Sequence, residues 1–226
     1  MYRKYIKRIL DLFISLLAIF FSSPLLLAIA ALVRVNLGKP VLFIQKRPGI
    51  NETLIHVYKF RTMTDERDSN GVLLPDDQRL TKFGRMLRST SLDELPELFS
   101  IIKGDMSLVG PRPQLVKDMV FMSPEQRRRH SIRPGLTGWA QINGRNAIRW
   151  EEKLRYDLEY LDHITFLSDM YILLLTIVKV IRRSGITQSG MGTAEDFGDY
   201  LLNTKAISEE EYIEKIKMAQ ERLTSK

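Results

Sequence analysis

The sequence has no cysteine and only three histidines among 226 residues. Without cysteine it has no thiolate nucleophile, no disulfide framework and no zinc–thiolate site, and it is compatible with a reducing cytoplasm. His56, His130 and His163 are scattered, and none has a partner at motif spacing. The phosphate cradles GxxxxGK[ST] and GxGxxG are missing as well. What survives these exclusions as a covalent nucleophile is a carboxylate, as in enzymes that form aspartyl-phosphates.

Acidic residues are outnumbered, 27 against 34 Lys and Arg, giving a net charge of +7 and a pI near 9.6. That excess points to an anionic partner: a phosphorylated substrate, a nucleic acid or a membrane surface. With 44% hydrophobic residues, a chain of this length can build one sizeable core.

Charge is also absent from Leu12 to Val33. At ~1.5 Å per residue this stretch reaches ~33 Å, enough to cross a ~30 Å hydrocarbon layer. Two details favour a different path. Ser22, Ser23 and Pro24 interrupt its middle, where proline removes a helical hydrogen bond. Both flanks are basic, with Arg3, Lys4, Lys7 and Arg8 before it and Arg34, Lys39, Lys46 and Arg47 after. A helix that enters, breaks at Ser23-Pro24 and returns to the same face satisfies both flanks. A single proline-kinked span is the competing topology.

Carboxylates and positive charge meet in Ser91–Pro113, SLDELPELFSIIKGDMSLVGPRP. Asp93 and Glu94 follow the basic residues Lys82, Arg85 and Arg88, and Arg112 stands between two prolines that fix its backbone. The bland reading of the acidic pair is a helix start, with Ser91 or Asp93 as N-cap. The chemical reading makes one carboxylate a nucleophile and the other a ligand for Mg²⁺, which uses one or two protein carboxylates plus phosphate oxygens. A prolyl-braced Arg112 suits bidentate phosphate contact.

Around this stretch the pattern predicts short elements. Val41–Gln45 and Leu54–Arg61 flank RPGINE as a β-hairpin, with Ile55, Val57 and Lys59 on one face. Asp65–Asp77 reads as a polar loop. A helix over Thr81–Arg88 turns Phe83, Met86 and Leu87 inward. Ser123-Pro124-Glu125-Gln126 is a capping-box helix start, and Arg127, Arg128 and Arg129 after it suggest a surface facing anionic lipid. Trp150–His163 is an amphipathic helix, and Asp169–Arg183, with Ser168 as N-cap, a second one, placed in the core or at the membrane interface. Gly190–Gly198 reads as flexible, and Ser208–Leu223 as a charged helix for docking or self-association.

YKFRTM (58–63), the Asp93-Glu94 stretch and RPGLTGWAQINGRN (133–146) together resemble the bacterial sugar transferase family, monotopic phosphoglycosyl transferases, in register over residues 1 to 190. Length and spacing are most similar to the small form, such as the initiating transferase of bacterial N-linked protein glycosylation, although Glu97 and Ser100 stand where that family commonly has Gln and Asn. The resemblance implies a mostly helical α/β fold with a small β-hairpin and interfacial amphipathic helices. It divides the chain into a re-entrant membrane helix (1–36), a catalytic domain (37–190) and a C-terminal segment (191–226). It implies transfer of a sugar-1-phosphate from a UDP-sugar to polyprenyl (undecaprenyl) phosphate, with release of UMP. The route is ping-pong, through an aspartyl phosphosugar, as the first membrane step of glycoconjugate assembly. Asp93 becomes the nucleophile and Glu94 the Mg²⁺ ligand. Lys59, Arg88, Arg112 and Arg145 become phosphate-binding residues, Asp157 an active-site acid, and Ser23-Pro24 the helix break. Partners are a UDP-sugar, polyprenyl phosphate and membrane phospholipid, with no nucleic acid, and a homodimer is compatible with the C-terminal helix. The implied location is the cytoplasmic face of the bacterial inner membrane. A rival of another class is a non-catalytic membrane-surface protein that binds anionic lipid or nucleic acid.

Overall fold

The computed structural model of the chain describes residues 1–144, 148–182 and 195–224. A π-helical turn, Tyr2–Ile6, leads into α1 (Lys7–Leu37). The helix does not end at Ser23-Pro24; the expected break is one lost bond within a continuous helix. Pro24 has no N–H to give to the carbonyl four residues back, and the Ser23 hydroxyl donates to that same Phe20 oxygen at 2.8 Å.

Both ends of α1 hold the same domain. Near its start Lys7 pairs with Asp169 at 2.6 Å, Arg8 donates to the carbonyls of Ile101 and Ile102, and Asp11 accepts from Ser107 and from the Leu108 amide. Near its end Leu26, Ile29 and Val33 pack with Phe60 and Leu87. Between Asp11 and Val33 the helix rises ~33 Å. Of the basic flanks, Lys7 and Arg8 are therefore committed to internal contacts, while Arg3, Lys4, Arg34 and Lys39 stay exposed. The outer face of α1 carries Phe13, Phe20, Phe21 and Leu27, each at least 60% exposed.

The hairpin forms as β1 (Leu42–Pro48) and β2 (Leu54–Phe60), antiparallel, with Leu42 opposite Phe60 and Pro48 opposite Leu54. Two short helices follow, α2 (Asp76–Arg79) and α3 (Lys82–Ser89). Thr81 caps α3 by accepting from the Gly84 amide, and Leu87 is buried. Met86, expected inward, is 45% exposed. Ser91 is the N-cap of a 3-10 turn, Leu92–Glu94, without a side-chain capping bond, and α4 (Glu97–Lys103) follows with Pro96 as its own N-cap.

The strand-like SLV becomes β3 (Ser107–Val109), and it pairs in parallel with β4 (Gly135–Thr137), which the sequence pattern had not marked. Between them lie α5 (Val116–Met119) and α6 (Pro124–Arg127), the latter with the predicted Ser123/Gln126 capping box. α7 (Trp139–Ile142) and α8 (Trp150–Asp162) lead to α9 (Phe166–Ile181). There Thr165 is the N-cap and Ser168 sits inside the first turn, its hydroxyl oxygen accepting from the Thr165 amide. Only Asp169 and Ile172 of α9 are buried. Leu167, Tyr171, Leu174, Val178 and Ile181 recur at helical spacing and are exposed.

The main core joins β2, α4, β3, α8 and α9 through Val57, Leu98, Ile101, Val109, Leu161 and Ile172. Within the span expected to be flexible, Phe197 and Gly198 are instead buried in α10 (Phe197–Asn203), with Phe197 packed on Trp150. Residues 190–194 of that span lie outside the described residues. α11 (Glu209–Thr224) closes the chain against α5, where Ala219 is buried beside Val116 and Met119.

Candidate active site

The acidic pair is aimed by a local backbone device. Ser91, just after α3, adopts a left-handed conformation (φ 56°, ψ 18°), unfavourable for a residue with a side chain and characteristic of functional turns. Just after this turn Asp93 is buried and Glu94 meets Lys59 of β2.

Glu94 is clamped. Lys59 donates to its Oε1 at 2.6 Å, and the Arg112 guanidinium reaches both of its oxygens. Burial alone would raise the Glu94 pKa, but the charges of Arg112 and Lys59 outweigh it and hold the group well below the ordinary carboxylate range. Asp93 goes the other way: burial first, and then the negative charge of Glu94, push it up against the opposing pull of Lys59, Arg88 and Arg112. Adjacent carboxylates thus occupy opposite electrostatic situations. Lys59 also lies 3.2 Å from Glu97, which is nearly inaccessible and whose pKa is raised mainly by burial.

Arg88 reaches the same cleft from α3, where its Nε donates to the Thr62 hydroxyl at 3.1 Å. Gly84 allows that approach, since a Cβ there would collide with the Thr62 carbonyl. Arg112 is set by its backbone. Its carbonyl accepts from Arg129 at 2.6 Å, and the neighbouring Pro111 and Pro113 carbonyls accept from the Gly135 amide and from Arg47. Arg129 is bound in turn to Asp157 at 2.9 and 2.7 Å.

The structure therefore brings Lys59, Arg88, Asp93, Glu94, Arg112 and Asp157 to the walls of one cleft of about 1510 Å³. The Asp157 carboxylate is engaged with Arg129, which makes it a support for the Arg112 loop. Arg145 lies outside the described residues. Sequence reasoning missed Arg47, Glu97 and Arg129 as members of this machinery. Arg129 was grouped with its neighbours as a lipid-facing surface, but it is buried, Arg127 pairs with Glu52, and Arg128 with Glu125 and Asp162. Nothing in a run of three arginines distinguishes the buried one.

The family model described as "Bacterial sugar transferase" matches residues 2–183. The chain belongs to this family. It is 50% identical over 192 residues to "Uncharacterized sugar transferase EpsL" of Bacillus subtilis (strain 168), covering 85% of this chain and 95% of that protein. It is 40% identical over 188 residues to the "UDP-glucose:undecaprenyl-phosphate glucose-1-phosphate transferase" of Klebsiella pneumoniae, covering 76% of this chain and 39% of that protein. It is 34% identical over 189 residues to the "UDP-N-acetylgalactosamine-undecaprenyl-phosphate N-acetylgalactosaminephosphotransferase" of Aeromonas hydrophila, covering 80% of this chain and 45% of that protein. The chain thus spans less than half the length of these last two relatives.

Proposed function

We propose that the protein transfers a sugar-1-phosphate from a UDP-sugar to polyprenyl phosphate. The observation that carries this reading is the buried Asp93 beside a Glu94 held by Lys59 and Arg112, in a basic cleft of a bacterial sugar transferase.

In the first half-reaction an Asp93 carboxylate oxygen attacks the sugar-linked phosphorus of the donor. A bond forms between that oxygen and phosphorus, the bond to the bridging oxygen breaks, and UMP leaves with its electron pair. In the second, a polyprenyl phosphate oxygen attacks the same phosphorus, the diphosphate bond forms, and Asp93 is released as carboxylate. Lys59, Arg88 and Arg112 hold phosphate oxygens and offset the charge that gathers in each transfer.

The donor set fits Mg²⁺. Glu94 would hold the ion: its carboxylate is a hard oxygen donor with lone pairs beyond those used by Lys59 and Arg112, and it stands beside the nucleophilic Asp93. Held by Glu94, a divalent cation would supply charge neutralisation for the donor diphosphate.

The exposed apolar faces of α1 and α9 support attachment to a membrane, and the cleft includes Leu42, Phe43 and Ile44 of β1 and Ile177 and Val180 of α9, an edge suited to a prenyl chain. Because α1 grips one domain at both ends, we read it as re-entrant, with the catalytic domain on the cytoplasmic side of the inner membrane.

The test is intact-protein mass after mixing with Mg²⁺ and a panel of UDP-sugars without acceptor. An adduct of phosphosugar mass on the parent protein and not on Asp93→Asn is expected. No adduct with any donor, together with no UMP release when polyprenyl phosphate is added, overturns the proposal.

A further inference from the structure

The family match ends at residue 183, yet residues 195–224 are packed back onto the domain. Tyr212 stacks on Phe121, the Lys46 ammonium donates to the Leu223 carbonyl, and Arg222 pairs with Glu52. The first residues of this segment are tied to the cleft itself. The Phe197 amide donates to Asp118 at 2.9 Å, Trp150 Nε1 donates to the Glu195 carbonyl at 3.1 Å, and Asp196 pairs with Lys117. Asp196 and Lys117 line the same cleft as Asp93 and Arg112. Arg47, whose guanidinium holds the Arg112 loop, feels the charges of both Arg112 and Asp196, so the two regions are electrostatic neighbours.

We propose that the Asp196–Lys117 pair is the subsite that reads the hydroxyl groups of the transferred sugar; this rests on the donor being a UDP-sugar, as above. A carboxylate is a poor neighbour for phosphate, but beside an ammonium it offers acceptor and donor together, the complement of adjacent sugar hydroxyls. The ribose of the donor carries a diol as well. Ribose is common to UDP-sugar donors, whereas the sugars in the relatives' names differ, glucose in one and N-acetylgalactosamine in another. A segment beyond the shared domain suits the variable group.

The experiment compares the full-length protein with Asp196→Asn and Asp196→Glu, the latter keeping the ion pair while moving the carboxylate by one methylene. UMP release is measured over a panel of UDP-sugars, with inhibition by UMP as the ribose readout. Expected is a fall of about tenfold or more in kcat/KM for the preferred donor, a changed preference order in Asp196→Glu, and unchanged UMP inhibition. Equal weakening of UMP inhibition would assign the pair to ribose and overturn the proposal, as would an unchanged preference order in Asp196→Glu. If the parent protein releases UMP from no donor, the proposed function itself fails, and this subsite with it.

Discussion

Arg129 bonds the Asp157 carboxylate and the Arg112 carbonyl oxygen with one guanidinium, so a fully buried ion pair determines where the cleft's arginine stands. Each partner satisfies the other out of water, and removing one alone strands a buried charge.

Asp157→Ala is accordingly expected to destabilise the protein by about 3–5 kcal/mol, read as a drop in thermal midpoint in detergent. A double variant, Asp157→Leu with Arg129→Met, recovers much of that stability. It does not recover UMP release, because the Arg112 carbonyl still lacks its donor. Recovery of both would show that Arg129 does not position Arg112.

Glu97 gives a different sign. Burial raises its pKa above the ordinary 4.5 despite Lys59, so the folded state binds a proton more tightly than the unfolded one and loses stability as pH rises from 4.5 through the raised value. Glu97→Gln removes that loss. Denaturation midpoints of the variant should exceed those of the parent by more at pH 8 than at pH 5; a constant difference would refute the assignment.

Acid should weaken the fold at another place. His130 is buried, and burial, followed by the charge of Arg129, lowers its pKa to about 3. Glu52 is lowered to about 2, chiefly by its hydrogen bond from Arg127, against the effect of burial and with help from Arg222. Both folded values lie below the unfolded ones, so their stability is present above those values and is lost as pH falls, from 6.5 for the histidine and from 4.5 for the glutamate. Midpoints measured between pH 7 and pH 4 should fall, and His130→Asn should flatten the upper part of that decline.

The absence of cysteine makes topology directly measurable. Single cysteines replacing Lys4 and Lys39, one at each exposed end of α1, are expected to react with a membrane-impermeant maleimide from the same, cytoplasmic side. Labelling from opposite sides would establish a spanning helix.

The sequence by itself marked the residues of the proposed chemistry: the exclusions that left a carboxylate, the Asp93-Glu94 pair, Lys59 on the apolar face of an alternating strand, and Arg112 between two prolines. These are local signals, fixed by residue type and short spacing. Helices α3, α8 and α11 and the hairpin were legible for the same reason, since periodicity and capping act within one or two turns. Tertiary structure decided which charges are spent inside the protein. Arg8, Arg129 and Asp157 find partners 93 or 28 residues away, and no pattern of nearby residues encodes such pairs. It also decided that β3 has a parallel partner in β4, and that residues beyond the family-matched region bring Asp196 to the cleft. A buried charge or a strand edge is satisfied by whatever the fold places beside it, and that placement belongs to the whole chain.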